Sequence, residues 1–434
     1  MSGKYIVRQP IKDAEGKIVG YEILYHGENQ AFTSENSAAN NEFAAADTVY
    51  SFLTQNTTKV LRGSLNFMTF TTMLLMKKTP KLFDKSELVI QIDDSVIIHP
   101  LSMHFVQQYA REGYKIAVNE FQFVPRYLAL MDSIDYIKIN AKTGTDTTIR
   151  NTIEIAHSMN KKCIITNIDN EELCEKAIAM GADAMEGPYV AERLTTKAHT
   201  SAYLQSNFFR LMVAVTRDEP NVEEIEQMIA ADAGLSYGLL KIANSAYFAL
   251  RHRASTIRQA VMTLGLGQLR QWIYLLSASN AEQKPSPDSE EFLKRSFMRA
   301  NFSSELMNYA KDMPISKSEA YLMGMFSTLG SLIDAPIEDI LAEVPVADEI
   351  KAALLHKEGR CGKLYELILS YEVADWDKIT TVAEELGIPN NLLTSVYFIC
   401  MENVNVLWEQ LVSPYADQLP DENEPQGETT EPTA

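Results

Sequence analysis

The sequence opens with Tyr5-Ile-Val-Arg-Gln-Pro-Ile11, the turn Asp13-Ala-Glu-Gly16 and Ile18-Val-Gly-Tyr-Glu-Ile-Leu-Tyr25. Both flanking segments are rich in β-branched and aromatic residues, which favour strands. The turn between them is too short for a helical crossover, so we predict that these two strands are antiparallel.

The segments that follow alternate between strand-like and helix-like patterns. Helical stretches include 146–159 and 170–180, and the further strand candidates lie near residues 59–70, 87–94, 114–121, 134–140, 161–168 and 183–190. Regular alternation favours parallel βα units, and eight strands favour closure. The first part is therefore predicted to be an α/β domain, a modified TIM-like (β/α)8 barrel with an antiparallel first strand.

From about Thr196 the apolar residues recur at spacings of three and four, which predicts an all-α second domain. We place the barrel at residues 1–198 and the helical domain at 199–413. The acidic segment 414–434 is rich in Pro and Thr and has too few apolar residues to fold, so it is predicted to be a disordered tail.

Composition narrows the class of protein. A chain of 434 residues with 46% hydrophobic and 22% charged residues fits two globular domains. The formal net charge of −19 opposes nucleic-acid binding. No apolar run reaches the roughly 20 residues of a membrane span, and no signal core is visible, so we expect a cytoplasmic location. The four cysteines fall singly and are expected to be reduced core thiols.

Two groups of motifs resemble known families. Gln9-Pro-Ile11 and Gly20-Tyr-Glu-Ile-Leu24 resemble the opening of EAL domains, the phosphodiesterases of cyclic di-GMP. The segments 229–248 and 257–265 resemble the HDOD domain, a relative of the HD phosphohydrolases. This order is that of EAL–HDOD bacterial signalling proteins, and the EAL fold has the same antiparallel irregularity.

The EAL resemblance implies a two-metal site built from carboxylates and one asparagine. The matching positions in this chain are Glu22, Asn66, Gln91, Asn119, Glu120, Lys138, Thr166, Asp169 and Glu186. Gln91, Asn119 and Thr166 are neutral where the family has anionic ligands, and a one-residue shift would replace Thr166 by Asn167, which is also neutral. Hard cations need several anionic oxygens.

We therefore expect no metal cofactor and no hydrolysis. The alternative is residual activity, with Mg²⁺ or Mn²⁺ held by Glu22, Glu120 and Glu186. A simpler interpretation of Glu22 and Lys138 is an ion pair in the barrel mouth. Cyclic di-GMP binding through Gln9, Glu22 and Lys138 is predicted to be weak or absent, because no arginine follows Leu24 to clamp a phosphate.

The helical domain also lacks the ligands of its enzymatic relatives. Ser327-Thr328 stands where HD enzymes have His-Asp, so no metal site is expected there. The arginines Arg251, Arg253, Arg258 and Arg270 form a basic patch that either docks an acidic signalling partner or is simply a solvated face.

These observations favour a catalytically inactive adaptor that acts through protein contacts in a cyclic di-GMP-related pathway, such as motility or biofilm control. The alternatives are a residual cyclic di-GMP phosphodiesterase and a cyclic di-GMP receptor that binds without hydrolysis.

Overall fold

The computed structural model describes residues 5–26, 61, 64–98, 100–121, 125–192, 208–231, 233–244, 254–278, 287–328, 337–343 and 346–416. Its first domain is a closed barrel in which the strands follow chain order. They are β1 (Tyr5–Lys12), β2 (Ile18–His26), β3 (Asn66–Thr69), β4 (Leu88–Ile92), β5 (Lys115–Val118), β6 (Tyr136–Asn140), β7 (Lys162–Thr166) and β8 (Ala184–Met185).

The predicted antiparallel first strand is confirmed. β1 pairs antiparallel with β2 and closes the barrel against β8 through Lys12 and Met185, whereas β2 to β8 pair in parallel. The last strand is shorter than the predicted 183–190. It ends because Gly187 adopts a φ of 145° and Pro188 begins a helix, where the missing N–H of proline costs no hydrogen bond.

Helices surround the strands. In the barrel they are α1 (Thr72–Met76), α2 (Asp94–Ile97), α3 (Pro100–Glu112), α4 (Pro125–Leu128), α5 (Asp146–Ser158), α6 (Glu171–Ala179) and α7 (Pro188–Glu192), with 3-10 turns at Thr79–Leu82 and Met131–Ser133. Both α5 and α6 begin at side-chain caps, Thr145 and Asn170, whose oxygens accept from backbone N–H groups of the first turn.

The second domain is helical, as predicted. Its described helices are α8 (Phe208–Thr216), α9 (Val222–Ala230), α10 (Ala233–Ala243), α11 (Ile257–Ala278), α12 (Pro287–Leu306), α13 (Lys317–Phe326), α14 (Ile337–Glu343), α15 (Asp348–His356), α16 (Gly359–Glu372), α17 (Trp376–Leu386) and α18 (Asn390–Ala416). Gly265 interrupts α11 with a φ of 75°, which separates two helical segments. The predicted tail at 414–434 lies outside the described residues beyond Ala416.

The C-terminal helices pack on the first strand of the barrel. Tyr5 stacks on Trp376 with ring centroids 6.0 Å apart, and the hydroxyl of Tyr371 donates to the Ile6 carbonyl at 3.1 Å. Lys12 forms a buried ion pair with Glu291 of α12 at 2.7 Å. Because β1 and β2 are joined by a tight turn and not by a crossover helix, helices from the second domain cover this side of the barrel.

The barrel interior is layered. A buried apolar layer fills its centre and is separate from the main core: Ile11, Phe67, Val89, Ala117, Tyr136, Ile164 and Ala184. Side chains two residues apart on a strand point to the same face. The residues two positions further along each parallel strand therefore form the next layer, toward the carboxyl ends where barrel enzymes place their sites.

Candidate functional site

The second interior layer of the barrel is polar. Stepping two residues on from the apolar layer gives Thr69, Gln91, Asn119, Lys138, Thr166 and Glu186. Glu22 joins them from β2. Of these, Glu22, Gln91, Lys138 and Glu186 are buried. The sequence-based site residues Glu22, Gln91 and Lys138 are thus brought together, and Glu186 is brought to them from the end of β8.

The Lys138 ammonium occupies the centre of this layer. Its Nζ lies 2.7 Å from Glu22 Oε2, 2.8 Å from Glu186 Oε2 and 3.0 Å from Gln91 Oε1. Three oxygens thus surround the ammonium, and those of Glu22 and Gln91 accept hydrogen bonds from it. The ion pair between Glu22 and Lys138 suggested by the sequence is present, and it has Glu186 as a third member.

Gln91 connects this cluster to the neighbouring strand. Its Nε2 donates to Glu22 Oε1 at 2.9 Å and to Thr69 Oγ1 at 3.0 Å, while its Oε1 accepts from Lys138. A glutamate at this position would place a third carboxylate beside one cation and could not donate to Glu22. The neutral amide therefore suits a site organised around an ammonium.

Lys138 does not neutralise the two carboxylates of the cluster equally. Burial opposes the charge of Lys138, but Glu186 and Glu22 outweigh it and raise the pKa of the ammonium above its usual value. Burial raises the pKa of Glu186 to about 7 although Lys138 acts in the opposite direction, and the nearby Glu22 raises it further. The Lys138 contact is an ion pair, and no hydrogen bond of good geometry reaches Glu186 Oε2. Glu186 is thus the less well compensated carboxylate.

Glu186 is positioned by the glycine that follows it. The Ile168 N–H donates to the Glu186 carbonyl at 3.1 Å, and a β-carbon on Gly187 would lie 2.4 Å from the Ile168 nitrogen. Only a residue without a side chain permits this approach of the two backbones. Gly187 therefore fixes the point at which β8 ends and Glu186 turns inward.

The structure corrects the assignment of Asn66. This residue lies at the start of β3, pairs with Leu88, and alternates out of phase with the interior residue Phe67. Its amide is fully used: Nδ2 donates to the carbonyls of Leu61, Ser64 and Glu87, and Oδ1 accepts from Arg8. Asn66 thus stabilises the amino-terminal end of β3 from the outer face of the barrel.

Thr69 takes the place in the polar layer that the sequence comparison gave to Asn66. It pairs with Gln91 across β3 and β4 and accepts a hydrogen bond from the Gln91 amide. The signal was present in the sequence as the two-residue spacing from Phe67. It could be interpreted only once the register of β3 was known.

The remaining predicted site residues lie at the rim. Glu120 is exposed and adopts a left-handed φ of 48°, directly after half-buried Asn119. Thr166 lies on the interior face of β7, two residues after Ile164, whereas Asn167 is exposed with a φ of 62°. Asp169 is exposed and pairs with Lys142 at 2.5 Å. Neither Glu120 nor Asp169 belongs to the buried cluster.

Gln9 is buried directly opposite Glu22 in the β1–β2 ladder. Its side chain therefore lies on the same face of the β1–β2 ladder as Glu22. Glu22 and Lys138, the other two predicted ligand contacts, are already bound to each other.

A two-metal centre does not fit these residues. Magnesium and manganese require several anionic oxygens around an open position. Here Glu22 and Glu186 both surround the Lys138 ammonium, and the other members of the layer are neutral. The cluster balances two carboxylates with one fixed cation, which leaves one negative charge.

Ser327 and Thr328, at the positions that resemble the His-Asp pair of HD enzymes, are hydrogen-bonded within the helical domain. Ser327 accepts from the Arg299 guanidinium at 3.1 Å, and Thr328 shares a hydrogen bond with Ser296 at 2.6 Å. Arg299 also forms a two-pronged ion pair with Glu372 at 2.7 and 2.8 Å. This buried arginine, which sequence reasoning missed, connects α12 to α16.

The structure describes two of the four arginines of the predicted basic patch. Arg251 and Arg253 lie outside the described residues. Arg258 has an exposed side chain and lies 3.8 Å from Glu226, whereas Arg270 is half-buried with its guanidinium 4.0 Å above the Tyr321 ring. Arg258 is therefore available to a partner, and Arg270 packs against its own domain.

One other group of possible metal ligands occurs among the described residues: His157, Cys163 and Asp183. Asp183 Oδ2 accepts from the Cys163 backbone N–H and contacts His157 Nε2, both at 2.7 Å. Burial and the Asp183 charge raise the pKa of the Cys163 thiol to about 12, so it remains protonated. The Asp183 carboxylate thus connects the Cys163 backbone with the His157 ring.

Family comparisons agree with this architecture. The family model of the EAL domain matches residues 5–193, and that of the HDOD domain matches residues 202–345. The chain therefore contains an EAL domain followed by an HDOD domain. The helices from α15 onward lie beyond the HDOD match. Among the described helices, none has the length and apolar character needed to cross a bilayer.

Two full-length relatives are similar to this chain. The uncharacterised protein YuxH of Bacillus subtilis is 27% identical over 388 residues, which cover 88% of this chain and 94% of that protein. A Vibrio cholerae protein named cyclic di-GMP phosphodiesterase CdgJ is 27% identical over 394 residues, covering 88% of each chain.

Solved structures of EAL proteins are similar to part of this chain. The EAL enzyme Bd1971, with cAMP and cyclic di-GMP bound, gives a TM-score of 0.37 at 14% identity and covers 43% of this chain and 61% of that chain. The EAL domain of FimX from Pseudomonas aeruginosa, bound to cyclic di-GMP, gives 0.34 at 17% identity and covers 43% and 89%.

Proposed function

We propose that this protein is a signalling adaptor that acts through protein contacts in a cyclic di-GMP-related pathway and does not hydrolyse the nucleotide. The observation that carries the proposal is the Lys138 ammonium, which lies within 2.8 Å of both Glu22 and Glu186. The site is built around an internal cation where a phosphodiesterase would need metal ions.

Binding a metal would require this cluster to come apart. Either Lys138 would have to leave the two carboxylates, or a divalent cation would have to share them with an ammonium. A buried ion that loses its partners costs several kcal/mol. Asn119, Thr166 and Thr69 offer only neutral oxygens to offset that cost, which supports a non-catalytic role.

The adaptor interpretation also agrees with the second domain. Its vestigial metal positions are occupied by Ser327 and Thr328, whose hydroxyls are hydrogen-bonded within the domain. The chain carries a net charge of −19, yet Arg258 stands exposed on the helical domain beside the sequence positions of Arg251 and Arg253. A basic surface on an acidic protein suits an acidic protein partner.

The second candidate function is residual phosphodiesterase activity. It is favoured by the similarity to the Vibrio cholerae protein, whose name states that activity. Glu22, Glu186 and the exposed Glu120 would then hold one Mg²⁺ or Mn²⁺. This candidate requires Glu120 to turn inward from the left-handed conformation that it adopts at the rim.

An activity assay on the full chain separates the two functions. Purified protein incubated with cyclic di-GMP and Mg²⁺ or Mn²⁺ should yield no linear dinucleotide above the buffer control when products are separated by chromatography. Product formation that is abolished by Glu22→Gln but retained by Glu175→Gln, the same change at an exposed helical position, would overturn the adaptor proposal.

Calorimetry addresses binding without hydrolysis. We expect no cyclic di-GMP binding tighter than the micromolar range, because Glu22 and Lys138 are engaged with each other. A submicromolar dissociation constant that is lost in Gln9→Ala would favour a receptor function instead.

A further inference from the structure

A cleft of about 130 Å³ lies between the barrel and the helical domain. One wall comes from β1, β2 and α7, and the other from α12, α16 and α18. The part of its lining used here consists of Arg8 and Tyr21 on the barrel side and Met298, Met401 and Val404 on the helical side. It is separate from the Lys138 cluster inside the barrel.

The carboxylates that line the cleft are already paired. Glu372 receives two hydrogen bonds from Arg299, whose charge outweighs burial and lowers the pKa of the carboxyl group. Glu291 lies 2.7 Å from Lys12 Nζ and 3.0 Å from Arg295 Nη2. These two acids therefore have cations of their own.

Arg8 has no such partner. Its Nε donates to Asn66 Oδ1 at 3.0 Å and its guanidinium lies 3.7 Å above the Tyr21 ring, but no described carboxylate forms an ion pair with it. Its Nη2 is buried without a hydrogen-bond partner, while the rest of the side chain keeps some surface open where it lines the cleft. Burial lowers the pKa of Arg8, and Tyr21, Tyr397 and Glu87 offset only part of that effect.

An unpaired guanidinium donor in a partly buried cleft is costly unless an anion binds it. Guanidinium N–H groups suit carboxylates and phosphates. The rest of the lining includes the polar side chains of Lys294, Arg295 and Asn405 together with apolar residues, among them methionines whose flexible side chains adapt to varied ligand shapes. The cleft thus combines cationic side chains, among them the unpartnered donor of Arg8, with an adaptable apolar surface.

We propose that this interdomain cleft binds a small organic acid, with its anionic group on Arg8 and its apolar body against Met298, Met401 and Val404. Its volume is close to the roughly 150 Å³ of a cavity known to hold benzene. The ligand is therefore an acid of about benzoate size, which excludes a cyclic dinucleotide as a fully enclosed occupant. Its acid group is a carboxylate or a phosphate ester.

The test titrates the full chain with benzoate, phenyl phosphate and the neutral isostere benzamide, using ligand-observed NMR and calorimetry. At least one acid should bind with a dissociation constant near or below the millimolar range, and benzamide at least tenfold more weakly. The stronger of the two acids identifies the preferred anionic group. Failure of both acids to bind, or equal binding of benzamide, would overturn the proposal.

Two variants locate the site. Arg8→Gln removes the charge and should weaken acid binding at least tenfold. Because Arg8 also bonds to Asn66, a second variant leaves that hydrogen bond intact: Met401→Trp fills the cleft from the helical side and should abolish binding with Arg8 unchanged. Wild-type affinity in a folded Met401→Trp protein, checked by circular dichroism, would show that the acid binds elsewhere.

Discussion

The Lys138 ammonium lies 2.8 Å from Glu186 Oε2 and shares its charge with a second carboxylate, that of Glu22. One cation therefore serves two buried acids. The charge of Glu186 is incompletely neutralised, since burial raises its pKa to about 7. The barrel mouth is thus sensitive to pH near neutrality, even without any catalytic role.

We expect Glu186→Gln to stabilise the protein at alkaline pH. The folded-state pKa of Glu186 is raised above its unfolded value, so the native protein holds this proton more tightly and loses stability as pH rises from about 4.5 to about 7. A pKa shift of this size corresponds to roughly 3 kcal/mol in the free energy of unfolding. Urea unfolding at pH 5 and pH 8 measures the difference.

The variant should therefore exceed the wild type in stability at pH 8 and lose most of that advantage at pH 5. Glu175→Gln, the same change on the exposed face of α6, should leave the pH profile unaltered. An unchanged profile in Glu186→Gln would mean that Glu186 stays ionised throughout.

Gly187→Ala should destabilise the barrel strongly. The added β-carbon would lie 2.4 Å from the Ile168 nitrogen and 2.5 Å from its carbonyl oxygen, and backbone atoms cannot move aside cheaply. We expect a loss of about 3 kcal/mol or more in the free energy of unfolding. The matched control is Gly267→Ala in α11, where the added carbon meets open space and should be neutral or slightly stabilising. Equal stability of the two variants would contradict the proposed backbone contact.

Breaking the buried pair of Lys12 and Glu291 should weaken the attachment of the helical domain to the barrel. Glu291→Met removes the carboxylate that Lys12 and Arg295 share, and breaking a buried ion pair by removing one partner costs about 3–5 kcal/mol. Lys12→Met should cost less, because Glu291 keeps Arg295. Chemical unfolding of both single variants and the double variant gives the coupling energy. Strictly additive effects would show that the pair contributes nothing.

Charge reversal should weaken partner binding if the basic patch is an interface. A full-length protein with Arg251, Arg253 and Arg258 changed to glutamate should capture less of its native partner, mainly through a slower, less salt-dependent association. Arg217→Glu, at an exposed arginine that pairs with Glu224, is the control. Undiminished capture by the triple variant at low salt would make the patch a solvated face.

The sequence alone was sufficient for the architecture. The tight turn at Asp13–Gly16 required an antiparallel pair, and the helix predicted at 146–159 agrees with the observed Asp146–Ser158 to within one residue. These signals are local, because turn length and helical periodicity are expressed within a few residues. The sequence also predicted the ion pair of Glu22 and Lys138, since both residues lie at positions that resemble the site of EAL domains.

Tertiary structure decided which side chains share a layer. Asn66 and Thr69 lie three residues apart, so they face opposite sides of one strand, and only the pairing of β3 with β4 shows that Thr69 faces inward. Likewise, Glu186 joins Lys138, and Arg8 enters the interdomain cleft, through contacts between residues far apart in the chain. Local sequence patterns do not predict such contacts, because strand register and domain packing are determined only when distant segments of the chain come together.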